Sequence, residues 1–132
     1  MERLKERLAV ARRALATLEE VLAIPRPSRV ERDAAIQRFE YTFEACWRAA
    51  QRYLMVAEGL SVGSPKACVR AAREAGLLSD EQSVIGLEMV DDRNLTVHTY
   101  NDAVAERIHR NLRRYSDLLS HWLNAMEGRI NR

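Results

Sequence analysis

The densest run of chemistry-bearing side chains is Asp91-Asp92-Arg93-Asn94-Leu95-Thr96-Val97-His98-Thr99-Tyr100-Asn101-Asp102, a polar interruption between two apolar helical patterns. A guanidinium is a planar fork that grips a phosphate through two parallel hydrogen bonds and keeps its charge. An imidazole titrates near neutrality, so it can take a proton from a ribose 2′-hydroxyl or return one to a leaving oxygen. At ~1.5 Å of helical rise per residue, Arg93 and His98 stand close enough to share one ligand, above all across a helix kink. The helix that starts just afterwards can add its free N–H groups and dipole to the same anion site. Together these parts suit a metal-independent ribonuclease that attacks the phosphodiester with its own 2′-oxygen. A structural reading stands beside it. Arg93 can pair with Asp91, Asp92 or Glu88, His98 can close a helix junction, and Asn101 or Asp102 can be an N-cap.

Other chemistry fares worse. His98, His109 and His121 are spaced ~16–18 Å apart along a helix, too far to share a metal. Asp91-Asp92 could hold Mg²⁺, but that ion also needs substrate phosphates or further ligands. No metal site is expected. Neither GxxxxGK[ST] nor GxGxxG occurs, so no nucleotide cofactor is expected by either route. Arg107, Arg110 and Arg114 follow a helical spacing and could meet RNA phosphates, an acidic partner or only solvent. Cys46 and Cys68 show no ligand spacing and read as buried small hydrophobes.

The elements that position these groups read as helices almost throughout. The 132 residues suit one domain, 1–132, and the 47% apolar and 30% charged content excludes disorder as the main state. No apolar run approaches the ~18–20 residues needed to span a bilayer. The charged, periodic start MERLKERLAV is neither signal nor anchor, and the sparse cysteines suit a reducing compartment, so a cytoplasmic protein is expected. Net charge is only +2, and 19 of the 21 basic residues are arginine.

Leu4, Leu8, Ala11, Leu15, Leu18 and Leu22 form one apolar stripe, stopped by Pro25-Arg26-Pro27. Ser28 with Glu31 is a capping box for a second helix, buried through Ile36, Phe39, Phe43, Trp47, Ala50 and Leu54 and ended by Gly59. Ser64-Pro65 opens a third helix and Gly76 stops it. Asp80 is expected to cap a fourth, running through Val84, Ile85, Leu87, Met89 and Val90. A final helix from about Asp102 buries Ile108, Leu112, Tyr115, Leu119, Trp122 and Met126. The expected fold is all-α, an antiparallel bundle of about five helices with a four-helix-bundle-like core.

Arg93-Asn94-Leu95-Thr96-Val97-His98-Thr99-Tyr100 resembles the Arg-x4-His-x-Tyr motif of the HEPN superfamily. Phe39-Glu40-Tyr41-Thr42-Phe43-Glu44-Ala45-Cys46-Trp47 is similar to the aromatic second-helix signature of its nucleotidyltransferase substrate-binding-like branch, which includes HepT-like toxins. Ser64-Pro65-Lys66 and Ala75-Gly76-Leu77-Leu78 fit the same branch, and the likeness runs over roughly residues 5–128. The resemblance implies a bundle that forms a homodimer or hetero-oligomer, with the Arg/His segments meeting at a composite cleft. It implies a minimal nucleotidyltransferase, encoded nearby, as partner in a toxin–antitoxin module. In that reading the chain is an RNase toxin: Arg93 binds phosphate, His98 is the acid/base, Asn94 orients substrate or histidine, and Tyr100 is the residue silenced by AMPylation. The same branch also implies an alternative, a non-catalytic subunit that presents a substrate to the nucleotidyltransferase.

Overall fold

The first apolar stripe becomes α1 (Glu2–Leu22) in the computed structural model, which describes residues 1–132. Leu4, Leu8, Ala11, Leu15 and Leu18 are buried, with Val21 taking the last place ahead of half-buried Leu22. α2 (Arg29–Glu58) starts at a complete capping box: the Ser28 hydroxyl accepts from Glu31 N at 3.1 Å, and Ser28 N donates to the Glu31 carboxylate at 2.8 Å. It ends where Gly59 turns left-handed at φ +66°, a region that glycine enters without a Cβ penalty. α3 (Pro65–Glu74) is capped by Ser64 with Pro65 at its first position. α4 (Asp80–Asn94) runs into a 3₁₀ turn over Leu95–His98, and α5 (Asp102–Ile130) closes the chain.

Side-chain bonds fix the helix directions. Arg38 donates to Thr17 O at 2.8 Å and Thr42 to Ala14 O at 3.0 Å, so α1 and α2 are antiparallel. Arg12 holds Glu127 at 2.7 Å and Arg113 donates to Leu22 O at 2.8 Å, which makes α1 antiparallel to α5 as well. The parallel neighbours α2 and α5 are pinned at one end by buried Arg32, which meets Asp102 and Glu106. At the other end Glu58 pairs with Arg129. Thirty-three buried apolar residues form one core, with Phe39 stacked on Tyr115 at 5.7 Å between centroids. The all-α bundle of five helices is the architecture that the spacing predicts.

α4 departs from expectation in two details. Its cap is Ser79, whose hydroxyl accepts from Gln82 N at 3.1 Å in a second capping box; Asp80 is the first helical residue. Its inward face is Ser83, Gly86, Met89, Val90 and Asp92, whereas Val84 is 57% exposed. The reason is close approach. A Cβ on Gly86 would lie 2.9 Å from Val69 Cγ1, so α3 and α4 meet at a point where a side chain has no room.

Candidate functional site

The polar segment after α4 is held from several sides. Thr96 is buried and its hydroxyl donates to Arg93 O, one of the last carbonyls of α4, at 2.7 Å. Asn101 N donates to His98 O at 3.0 Å, and the Asn101 side chain accepts from Ala103 N and Val104 N at 2.9 and 3.3 Å. The cap of α5 is thus Asn101, while Asp102 turns away to Arg29 at 2.7 Å and to Arg32. The two arginines, Arg29 foremost, hold the Asp102 carboxyl below its ordinary range. With those N–H groups satisfied and a carboxylate at its mouth, the N-terminus of α5 does not supply the anion site expected of it.

Every acid near Arg93 in sequence is engaged elsewhere. Asp91 pairs with Lys66 of α3 at 2.8 Å, and Glu88 with Arg114 of α5 at 2.6 Å. Asp92, only 1% exposed, accepts from the Tyr115 hydroxyl at 2.6 Å. Its other carboxylate oxygen lies 2.9 Å from Arg107 Nη2, near enough for charge attraction but off the hydrogen-bond direction. Burial, then the Asp92 bond, raises the Tyr115 phenol well above its ordinary value. These contacts anchor the end of α4 on α3 and α5. They also correct the pairings considered for Arg93, because Arg93 forms no ion pair and its buried Nε has no hydrogen-bond partner.

The charge of Arg93 is felt at Glu44 of α2. Burial pushes the Glu44 carboxyl up, but the Trp47 indole N–H at 2.9 Å and Arg48 Nε at 3.1 Å outweigh it. With Arg93 adding its attraction, the carboxyl sits below its ordinary value. His98 closes the 3₁₀ turn in solvent, its Nδ1 3.2 Å from the Tyr100 hydroxyl and its ring edge-on to the phenol. Tyr100 itself is 84% exposed. Asn94 is exposed and its side chain makes no hydrogen bond to His98.

The segment therefore brings His98 and Tyr100 into contact and leaves Arg93, five residues earlier in the chain, half-buried and without an ion pair. Asp91 and Asp92 diverge to different partners and do not form a ligand pair. His109 lies half-buried on α5 beside Arg32 and Glu106, and His121 is exposed farther along it. Arg107 and Arg114 clamp α5 to α4, so of that arginine row only Arg110 stays unpaired. Both cysteines are buried, which raises each thiol to about 12. The supporting roles of Lys66, Arg107 and Tyr115 are not visible in the sequence, since each reaches the segment from another helix.

Among the solved structures that resemble this one, three are informative. A protein from Thermus thermophilus is 56% identical, with a TM-score of 0.86 over 88% of this chain and 98% of that one. A structure from Haemophilus influenzae, described as the fold of a substrate binding domain of a nucleotidyltransferase, shares the fold. It has 24% identity and a TM-score of 0.73 over 91% of this chain and 98% of that one. A mutant of the toxin-antitoxin MntA-HpeT shares it at 14% identity and a TM-score of 0.80, over 97% and 99%. No curated protein matches the chain. The helical order, the Arg93–Tyr100 segment at the α4–α5 junction and a family match over residues 6–128 lead to one conclusion: the chain belongs to the family "Nucleotidyltransferase substrate binding protein like".

Proposed function

We propose that the chain is a metal-independent ribonuclease of HEPN type, the toxin of a two-gene module whose second member is a minimal nucleotidyltransferase. The observation that carries this reading is an unpaired Arg93, its acidic neighbours all engaged elsewhere, on the same α4–α5 junction as an exposed His98. A free fork and a titratable imidazole on one junction fit a phosphodiester. Arg93 binds the phosphate oxygens and offsets the charge that grows on them in the transition state. His98 takes the 2′-hydroxyl proton; the 2′-oxygen bonds to phosphorus, the bond to the 5′-oxygen breaks, and a protonated imidazole supplies that oxygen's proton. The products are a 2′,3′-cyclic phosphate and a 5′-hydroxyl. Asn94 orients the substrate from the same turn.

Tyr100 is the brake in this scheme. Its exposed hydroxyl gives up its proton and attacks the α-phosphorus of ATP held by the partner; the Tyr O–P bond forms and pyrophosphate leaves. The resulting AMP ester, borne on the oxygen now 3.2 Å from His98 Nδ1, sets negative charge and bulk where RNA must enter. The family's description favours a second reading, in which the same Arg93 and His98 hold a phosphate or nucleotide for the nucleotidyltransferase without cleaving anything.

The deciding experiment is RNA cleavage by the purified chain in EDTA, beside its His98→Ala variant. Cleavage by the parent alone supports the ribonuclease. No cleavage by folded, unmodified protein overturns it in favour of the presenting subunit.

A further inference from the structure

Away from the Arg93 segment, Arg7 of α1 and Arg48 and Arg52 of α2 line a cleft of about 150 Å³ at the base of the α2–α3 loop. Arg48 and Arg52 are one turn apart and so share a face of α2, and antiparallel α1 brings Arg7 opposite them. The loop forms the remaining wall. Gly59 turns it back at φ +66°, and Gln51 Nε2 donates to Val62 O at 2.7 Å, which holds it against α2. No carboxylate lines this cleft.

Arg7 and Arg52 make no ion pair, and Arg52 Nε is buried with no hydrogen-bond partner. Arg48 alone is engaged: it bonds Glu44 at 3.1 Å and Gln51 at 3.2 Å, and lies 4.2 Å over the Trp47 ring. Three like charges on one cleft repel each other, and a buried donor without an acceptor is rare in a folded chain. An acid at position 7 or 52 would relieve both problems. The arrangement has its use when the acceptor is a ligand.

We propose that Arg7, Arg48 and Arg52 form a second anion subsite that takes the phosphate of a phosphate ester, either an RNA backbone or a nucleotide. A carboxylate has two oxygens and is satisfied by one fork, whereas a phosphate presents more oxygens and more charge to guanidiniums arriving from two helices. Glu44 bonds Arg48 at the rim of this cleft and also feels the charge of Arg93. The subsite goes beyond the cleavage reading, since binding here needs no chemistry at His98.

The test uses the full chain carrying His98→Ala, in EDTA, so that RNA stays intact. Fluorescence anisotropy measures binding of a labelled single-stranded RNA and, separately, a labelled ATP. Adding Arg7→Gln and Arg52→Gln should weaken binding at least about tenfold and flatten its salt dependence by about one counterion for each phosphate no longer neutralised. Arg52→Lys, with the same charge but no fork, should recover only part. Arg13→Gln with Arg26→Gln removes equal charge from exposed positions and should change little. Weakening of RNA alone assigns the cleft to a backbone phosphate, and weakening of ATP assigns it to a nucleotide. Unchanged affinity for both, an equal loss in the charge control, or a parent that binds neither overturns the subsite. With His98 absent throughout, none of these outcomes bears on cleavage.

Discussion

Arg93 is surrounded in sequence by acids, yet Lys66, Arg107, Tyr115 and Arg114 claim all of them. That division of labour makes the residue-scale predictions specific. Arg93→Ala should remove one charge-assisted contact to substrate, about 1.5–3 kcal/mol in binding or in the transition state, with melting temperature little changed. Equal cleavage rate and affinity in parent and variant would remove Arg93 from the site. Co-expression with a minimal nucleotidyltransferase of the proposed partner type should add AMP mass to Tyr100, read by peptide mapping; modification at another residue ends that assignment. Tyr115→Phe acts on stability instead. It strips a hydrogen bond from the buried Asp92 carboxylate and should cost about 1–3 kcal/mol at neutral pH. Because the folded Tyr115 pKa is raised, its contribution is fully present below the unfolded value of 10.0 and is lost as pH climbs through the folded one. Urea unfolding at neutral and alkaline pH should show that fall in the parent and a flatter profile in the variant.

Among the elements, α1, α2 and α5 were legible because each buries a broad apolar stripe whose spacing survives packing unchanged. Leu4 to Leu18, Ile36 to Leu54 and Ile108 to Met126 are all in the core. α4 was legible as a helix, with Met89 and Val90 in the core, but its full inward face was not, because its contact with α3 depends on an absent side chain rather than an apolar one. Gly86 lets Val69 approach, which rotates Val84 outward and brings Asp92 inward. Helix propensity alone would have Gly86→Ala stabilise α4 by about 1 kcal/mol. The 2.9 Å approach to Val69 argues the opposite sign, a net loss of about 1–3 kcal/mol from overpacking. Chemical denaturation should show that loss, and Val69→Ala in the same chain should recover part of it. If Gly86→Ala is stabilising by itself, the close packing of α3 on α4 is wrong. The candidate site was legible in the same partial way. The density of polar groups from Asp91 to Asp102 marks it, but the partners that free Arg93 come from α3 and α5, which no local spacing reveals.

For the whole molecule, the turn that carries His98 also exposes apolar surface: Val97 is 70% and Tyr100 84% accessible. No helix here is long and apolar enough to cross a membrane, so a bilayer-spanning helix does not account for that surface. A two-fold pair of chains meeting at this turn would cover Val97 and bring two unpaired Arg93 forks to one cleft, since a two-fold contact sets each patch against its own copy. One copy's Arg93 and the other's would then face a single strand of RNA, raising phosphate affinity without any change within the bundle. We expect sedimentation equilibrium to return twice the 15.2 kDa chain mass at micromolar concentration. Val97→Asp should shift the population toward the monomer by placing two like charges in the contact. It should reduce cleavage in step, while helical circular dichroism and thermal unfolding stay near those of the parent, because Val97 lies outside the core. A monomeric parent that still cuts RNA would overturn the composite cleft and leave Arg93 and His98 of one chain to act alone.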